Sequence, residues 1–476
     1  MSTINTNIPS AIAQRNLGTS QLDLSLSLER LSSGLRINRG ADDPAGLIVS
    51  ERLRSEILAS QQAIRNSQRA VNVIATTEGA LDEVSALLSD IQAKLVEAAN
   101  TGAFSDEERD ANQLQIDSAI DSIRRISSTT TFAGRKLLDG SLDYVMSGVA
   151  TSALADVDVT GAKFGSRTFI PVEVDVSISA QKAALILSST SLTGQPVVID
   201  LQGPAGIITL NFPASATAVD IITGINTETD ATGVTASSTA GGGVLIQSAG
   251  YGSREFVSVD VLSDPGNQFN LVNRNGVADT REAGIDAVGT INGAPTIGDG
   301  LNMGLNSSLL DIQVTLDESF GASQTTFAIT SGGALFQLGP EVNTNQQENI
   351  GVNSVNPNRL GNRLVGFLSS LQSGQTNDLR SKNFKEASDV ISLATDQVTG
   401  LRGRLGSFER NTLRTNINQL GITNENLVSS ESVIRDTDFA QETSALTRAQ
   451  ILVQAGNSVL AIANAQSQNV LTLLGG

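Results

Sequence analysis

Ile74-Ala-Thr-Thr-Glu-Gly-Ala-Leu81-Asp-Glu-Val84-Ser-Ala-Leu-Leu88-Ser-Asp-Ile91-Gln-Ala-Lys-Leu95-Val-Glu-Ala98 places an apolar residue on one line every seven positions: Ile74, Leu81, Leu88 and Leu95. Val84, Ile91 and Ala98 fill the intermediate steps. A helix turns once in about 3.6 residues, so this spacing draws a narrow apolar seam along one face, the pattern of a coiled coil. Upstream, Ile57, Ile64 and Val71 extend it, and the reading predicts one long helix from about Pro44 to Asn100. Ser105-Asp-Glu-Glu108 then reads as a capping box opening a second helix that carries Ile116, Ile120 and Ile123.

The same periodicity returns far downstream. Phe384, Ala387, Ile391, Ala394, Val398, Leu401, Leu405 and Phe408 alternate by four and three. The two ends share it: Leu17, Leu24 and Leu31 near the start, and Leu446, Val453, Leu460 and Leu474 near the end, with Ala449, Gly456, Ala463 and Val470 on the neighbouring line. From Asp436 onward the only charges are Asp436, Asp438, Glu442 and Arg448. A tail this poor in charge suits burial in an assembly better than a solvated end. Neither end has enough partners nearby in sequence to cover its own seam, so the ends are expected to pair with each other or with further copies.

Between the helical zones, from about Tyr144 to Gly339, short alternating runs such as Val172-Glu-Val-Asp-Val-Ser-Ile178 and Phe256-Val-Ser-Val-Asp-Val261 alternate with the turn dipeptides Asn275-Gly276, Asn292-Gly293 and Asp299-Gly300. One short helix is expected near Ala218–Asn226. The fold class is therefore mostly α at both ends, a long antiparallel coiled coil or helical bundle, with a β-rich central domain.

Composition narrows the function. The 476 residues carry a net charge of −18, from 49 acidic and 31 basic side chains, which argues against binding a phosphate backbone. Zero Cys and zero His leave no imidazole or thiol for common zinc, haem or triad chemistry, so no catalytic residue, metal or cofactor is expected. No run approaches a membrane span, and the polar beginning lacks the regions of a cleaved signal peptide. Asp42 and Asp43 lack the ligand spacing of a calcium loop. Gly298-Asp-Gly300-Leu-Asn-Met-Gly304 reads as a β-turn rather than a phosphate loop.

Two long stretches carry a family resemblance. Leu31-Ser-Ser-Gly-Leu-Arg-Ile-Asn-Arg-Gly-Ala-Asp-Asp-Pro-Ala-Gly-Leu47 resembles the amino-terminal signature of the flagellins. Ile434-Arg-Asp-Thr-Asp-Phe-Ala-Gln-Glu442, Arg448-Ala-Gln-Ile-Leu-Val-Gln-Ala-Gly456 and Asn469-Val-Leu-Thr-Leu-Leu474 resemble the carboxy-terminal one. The resemblance implies a non-enzymatic subunit of the bacterial flagellar filament, a helical homopolymer. Residues 1–45 with 430–476 would form the inner coiled coil and spoke loop. Residues 46–178 with 334–429 would form the helical outer tube, and 179–333 a variable surface domain. It further implies export through the flagellar type III channel without a cleaved signal, and partners in an export chaperone, a filament cap and hook-associated proteins. No nucleic acid and no membrane insertion are implied. A hook–filament junction protein, which shares the terminal helices, is the alternative within the same system.

Expected subunit-interface residues are Leu17, Leu24, Leu31, Leu446, Val453, Leu460, Val470 and Leu474 on the seams, with Arg36, Asn38, Arg39, Asp42 and Asp43 in the spoke. The terminal helices are expected to fold only on assembly. Removing Leu446–Gly476 should abolish polymerisation, whereas deleting about Lys182–Ser331 should leave it possible. Many flagellins are detected by a toll-like receptor that reads an Arg and, four residues later, a Leu on the long helix. Asp90 and Lys94 occupy the matching positions here, where they are expected to pair with each other, and Gln115 stands where the family has a Glu.

Overall fold

The seven-residue seam becomes a buried line. The computed structural model describes residues 6–102, 105–165, 167–188, 191–192, 195–307 and 309–474, with side chains of the last helix described up to residue 465. Its α-helices longer than one turn are α1 Ile8–Ser33, α2 Pro44–Ala99, α3 Asp106–Thr129, α4 Ala218–Thr227, α5 Phe384–Ser407, α6 Arg414–Arg435 and α7 Phe439–Leu474. In α2 the buried positions run Ala63, Ser67, Ala70, Ile74, Thr77, Leu81, Val84, Leu88, Ile91, Leu95, Ala98, a strict alternation of four and three. Upstream, Ile64 and Val71 are only half-buried, and Ser60, Ala63, Ser67 and Ala70 fill the covered line instead. The seam thus changes from large to small residues along one helix.

The chain divides into two compact units. The first gathers residues 1–70, 337–346 and 410–476; the second holds 71–336 and 347–409. In the second, α2, α3 and α5 bring together Leu81, Leu88, Leu95, Ile116, Ile120, Ile123, Ile391, Val398, Leu401 and Leu405, all buried. Covering each Leu or Ile contributes roughly 1.5–3 kcal/mol, so the three helices share one continuous apolar core. Ser105 and Glu108 form the reciprocal cap of α3. Arg402 meets Asp82 at 2.9 Å and Gln92 donates to Ser388 at 3.3 Å, which fixes α5 antiparallel to α2. Buried Gln113 on α3 donates to the Leu371 carbonyl and accepts from the Leu379 amide, both at 2.8 Å, pinning the loop that precedes α5.

Two β cores follow in the same unit. In the first, a five-stranded antiparallel sheet runs in the order Ala294–Ile297, Val288–Ile291, Ile170–Ile178, Gln324–Ser331, Val145–Ser147. A three-stranded sheet, Asn302–Asn306, Leu310–Leu316, Leu154–Ala162, shares its core. Ile170, Val172, Val174 and Val176 all point inward, as alternation requires. Ile170–Ile178, which the sequence groups with the helical tube, thus takes its strand partners from residues grouped with the surface domain.

The second core is nested inside the first. Two four-stranded sheets and α4 bury Leu185, Val197, Ile199, Leu201, Ile221, Ile225, Val244 and Val259. Gln181 and Ile285 exchange backbone hydrogen bonds of 2.8 and 2.9 Å where the chain enters and leaves it. Asn292 and Gly293, at φ +50° and +75°, form the expected hairpin turn.

The hairpin Thr131–Lys136 uses the same turn with Ala133 at φ +49° before Gly134 at φ +80°. Alanine has no side-chain oxygen to offset the left-handed conformation, which asparagine tolerates better. Ala133→Asn should raise the unfolding free energy by about 0.5–1 kcal/mol, read as a shift in the urea midpoint at constant slope.

Candidate subunit interface

In the first unit, α1 and α7 lie antiparallel. Gly456 packs so close to Leu17 that an added Cβ would stand 3.2 Å from Leu17 Cδ1. Ser10 Oγ donates to Asn464 Oδ1 at 2.8 Å, and Asn7 caps α1 while its Nδ2 reaches the Ala463 carbonyl at 2.9 Å. Buried between the helices are Ser10, Ala13, Ser27, Glu442, Ala449 and Ala463, all small except the glutamate. Leu17, Leu24, Leu31, Leu446, Val453 and Leu460 are only half-buried. Val470 and Leu474 belong to the same expected line, but their side chains lie outside the described residues.

Sequence reasoning missed the other apolar face of each helix. Leu22 is 73% exposed on α1, with Ile8 and Ile12 exposed on the same side. On α7, Ile451, Leu452, Val459 and Ile462 are exposed, the last at 65%. A scan for the strongest heptad line finds the seam between α1 and α7. These residues lie off that line, and on α7 their signal is the absence of any charged side chain after Arg448.

The loop joining α1 to α2 folds back on the junction between α6 and α7. Gly34 closes α1 at φ +74°; Thr437 N–H donates to the Gly34 carbonyl at 2.9 Å and Arg36 N–H to the Arg435 carbonyl at 2.7 Å. The Arg36 guanidinium donates to the Ile434 carbonyl, at 2.7 Å from Nη2. Arg30 faces Glu442 at 3.6 Å. Asp42 Oδ2 accepts from the amides of Asn38 and Arg39 at 3.0 and 2.8 Å, and Arg39 pairs with Glu29 at 2.7 Å. Asn38 Nδ2 donates to the Leu35 carbonyl at 3.3 Å, and Asp43 Oδ1 accepts from Gly46 N–H at 2.9 Å at the start of α2. The spoke residues Arg36, Asn38, Arg39, Asp42 and Asp43 therefore all hold partners within their own chain. At their centre sits Ile37, 1% exposed, which the sequence reading passed over between two polar neighbours, Arg36 and Asn38.

Asp90 and Gln115 are exposed. Lys94 does not bond Asp90 as expected; it reaches Glu97 at 2.9 Å, because Glu97 also accepts from Asn112 on α3 and is held in place. No helix among the described residues is long and apolar enough to cross a membrane.

The sequence profile of the bacterial flagellin N-terminal helical region matches residues 4–143, and that of the C-terminal helical region matches residues 388–474. A flagellin of Salmonella rubislaw is 30% identical over 99% of both chains. The chain belongs to the flagellins. A B-type flagellin of Pseudomonas aeruginosa is 28% identical, again over 99% of each chain. Among solved structures, the D2–D3 domains of a Serratia marcescens flagellar cap protein align with 36% of this flagellin and 97% of that chain, at 17% identity and a TM-score of 0.26. This flagellin is a structural subunit of the bacterial flagellar filament and not an enzyme.

Asp42 supplies a pH test of the spoke. The amides of Arg39 and then Asn38 hold its carboxyl below the ordinary 3.8. A folded-state pKa below the unfolded one stabilises the loop above pH 3.8, and that contribution is lost as pH falls through the folded value. Thermal melting of filaments should therefore fall more steeply below about pH 4 in the parent than in Asp42→Asn, which starts lower at pH 7 and converges with it in acid.

Proposed function

We propose that this flagellin polymerises through the apolar faces of α1 and α7, with Leu17, Leu24, Leu31, Leu446, Val453 and Leu460 joining the two helices of one subunit and Val470 and Leu474 contributing to the interface between subunits. Leu22, Leu452, Val459 and Ile462 then meet neighbouring copies. The observation that carries this reading is the double apolar face: one side of each helix half-covered within the chain, the other open. A pair that buries mostly Ser and Ala gains little alone, so these helices complete their burial on assembly and are largely unfolded in the free subunit.

The family likeness supports the rest of the assignment. Residues 1–45 with 430–476 line the filament channel, 46–178 with 334–429 form the outer tube, and 179–333 lie at the surface. Export is through the flagellar type III channel to the outside of the cell, and an export chaperone, the filament cap and hook-associated proteins are the further partners.

Val459→Asp with Ile462→Asp should abolish filament formation, as should removal of 446–476, while the urea midpoint of the second unit stays unchanged. Deletion of 182–284 should preserve polymerisation, since its ends are already bridged by Gln181 and Ile285. The wider cut to Ser331 also removes the strand partners of Ile170–Ile178 and should unfold that sheet. Sedimentation after salt-induced polymerisation distinguishes the cases, and filaments from the aspartate variant would overturn the assembly face.

The receptor-facing positions yield a separate expectation. Asp90 reverses the sign of the family's Arg, the Lys94 ammonium held by Glu97 replaces an apolar contact, and Gln115 lacks a carboxylate. Losing a charged and an apolar anchor together costs several kcal/mol in typical interfaces, roughly a hundredfold or more in affinity. Monomeric protein should activate reporter cells carrying that receptor at least about a hundredfold less than an enterobacterial flagellin; equal potency would refute the reading.

A further inference from the structure

Seven-residue repetition leaves the α1–α7 pair with more than one good way to pack. Leu17 faces Gly456. By the same antiparallel register Leu24 faces Ala449 and Leu31 faces Glu442, while Ala13, Ser20 and Ser27 face Leu460, Val453 and Leu446. Every layer except Leu31 against Glu442 sets a large side chain against a small one, which is good packing. The layers repeat every seven residues on both helices, so sliding α7 by one heptad sets Leu17 against Ala463 or Ala449 and largely restores the pattern. The apolar contact alone discriminates weakly among registers.

What does not repeat is the polar end of the pair. Glu442 holds the place that Ala449, Gly456 and Ala463 hold in the other heptads, 9% exposed and facing Arg30 at 3.6 Å. One step beyond, the Arg36 guanidinium is fixed on the Ile434 carbonyl, and its own amide on that of Arg435. A one-heptad slip would bring Glu442 against Leu24, or strand it past the end of α1, and would part Arg36 from its carbonyls. Burying a carboxylate without its partner costs several kcal/mol in general, more than an Ala-for-Gly mismatch. The slip also moves α7 by about 10 Å along α1, carrying Leu452, Val459 and Ile462 away from Ile12 and Leu22.

We propose that the clasp of Arg30, Arg36 and Glu442 selects one of several near-equivalent registers of the α1–α7 pair, and thereby defines the composite apolar surface that a second copy of this chain recognises. The proposal rests on the self-assembly reading above, since register matters only if both helices present that surface together.

The chain contains no cysteine, so engineered pairs report register cleanly. Ser20→Cys with Val453→Cys reports the observed register; Ser20→Cys with Leu460→Cys, or with Leu446→Cys, reports a slip in either direction. Each full-length pair is polymerised, mildly oxidised, dissolved and scored for the intramolecular disulfide. With the clasp intact, only the Ser20/Val453 pair should crosslink. With Arg30, Arg36 and Glu442 all changed to Ala, the slipped disulfides should rise about tenfold or more, the ratio expected when one partly buried ion pair no longer discriminates. Arg30→Glu with Glu442→Arg, keeping Arg36, should restore the single register.

Exclusive Ser20/Val453 crosslinking in the triple variant, or slipped crosslinks as frequent as native ones with the clasp intact, would overturn the proposal. If the triple variant does not assemble, the reversed pair decides: filaments in the native register support the clasp, and their absence overturns it. Failure of the unsubstituted chain to polymerise at all would count against the assembly reading instead.

Discussion

An apolar line that recurs every seven residues must be covered, and how completely the chain covers it determines the behaviour of each unit. In the second unit the lines of α2, α3 and α5 cover one another, and Leu81, Leu88, Ile120, Ile391 and Leu401 are fully removed from water. Each such side chain contributes roughly 1.5–3 kcal/mol, and this core is closed within the chain. In the first unit the covered residues are Ser10, Ala13, Ser27, Ala449 and Ala463, and the leucines beside them stay half in water. The same periodicity therefore builds one finished core and one unfinished core. The difference lies in side-chain size and in the number of helices that meet.

Bringing α5 back to α2 requires the chain to return after more than two hundred residues, yet this is thermodynamically mild. Loop-closure entropy rises only logarithmically, about 0.6 kcal/mol for each doubling of length. Each inserted β core also pays its own way through burial, the outer one through Val172, Val174, Ile312 and Ile329 and the nested one through Leu185, Ile199, Ile221 and Val259. The exchange of bonds between Gln181 and Ile285 closes the nested module at its neck, so its length is nearly invisible to the sheet that carries it.

The helical seams, the alternating strands, the capping box at Ser105 and the Asn292-Gly293 turn were legible because each is written in residues close in sequence. Strand partners were not. Ile170–Ile178 pairs with Val288–Ile291 and Gln324–Ser331, and nothing local in its alternation says which distant strand will complete it. Polar partners were equally hidden: Lys94 had an acidic neighbour on either side and took Glu97, because Asn112 from another helix had already positioned that carboxylate. Ile37 escaped for a different reason, being a single apolar residue without period. Its burial follows from the charged loop closing around it, with Asp42 and Asp43 both turned to backbone amides.

The spoke's self-sufficiency bears on what drives assembly. Arg36, Arg39 and Asp42 already hold partners within the chain, so recruiting them to a neighbouring copy would break one charge-assisted bond to make another, with little net gain. Exposed ion pairs contribute at most about 1 kcal/mol each in any case, and salt weakens them. The open faces of α1 and α7 carry no such obligation. Covering Leu22, Leu452, Val459 and Ile462 removes apolar surface from water without undoing an existing bond, and this gain grows in strongly hydrated salts that weaken ion pairs. In the proposed assembly, polar groups in this unit shape the subunit and fix its helix register, while apolar area supplies the drive to join. A subunit whose joining surface exists only when two distant ends of the chain are paired cannot present that surface while either end is unfolded, which ties polymerisation to the folding of both.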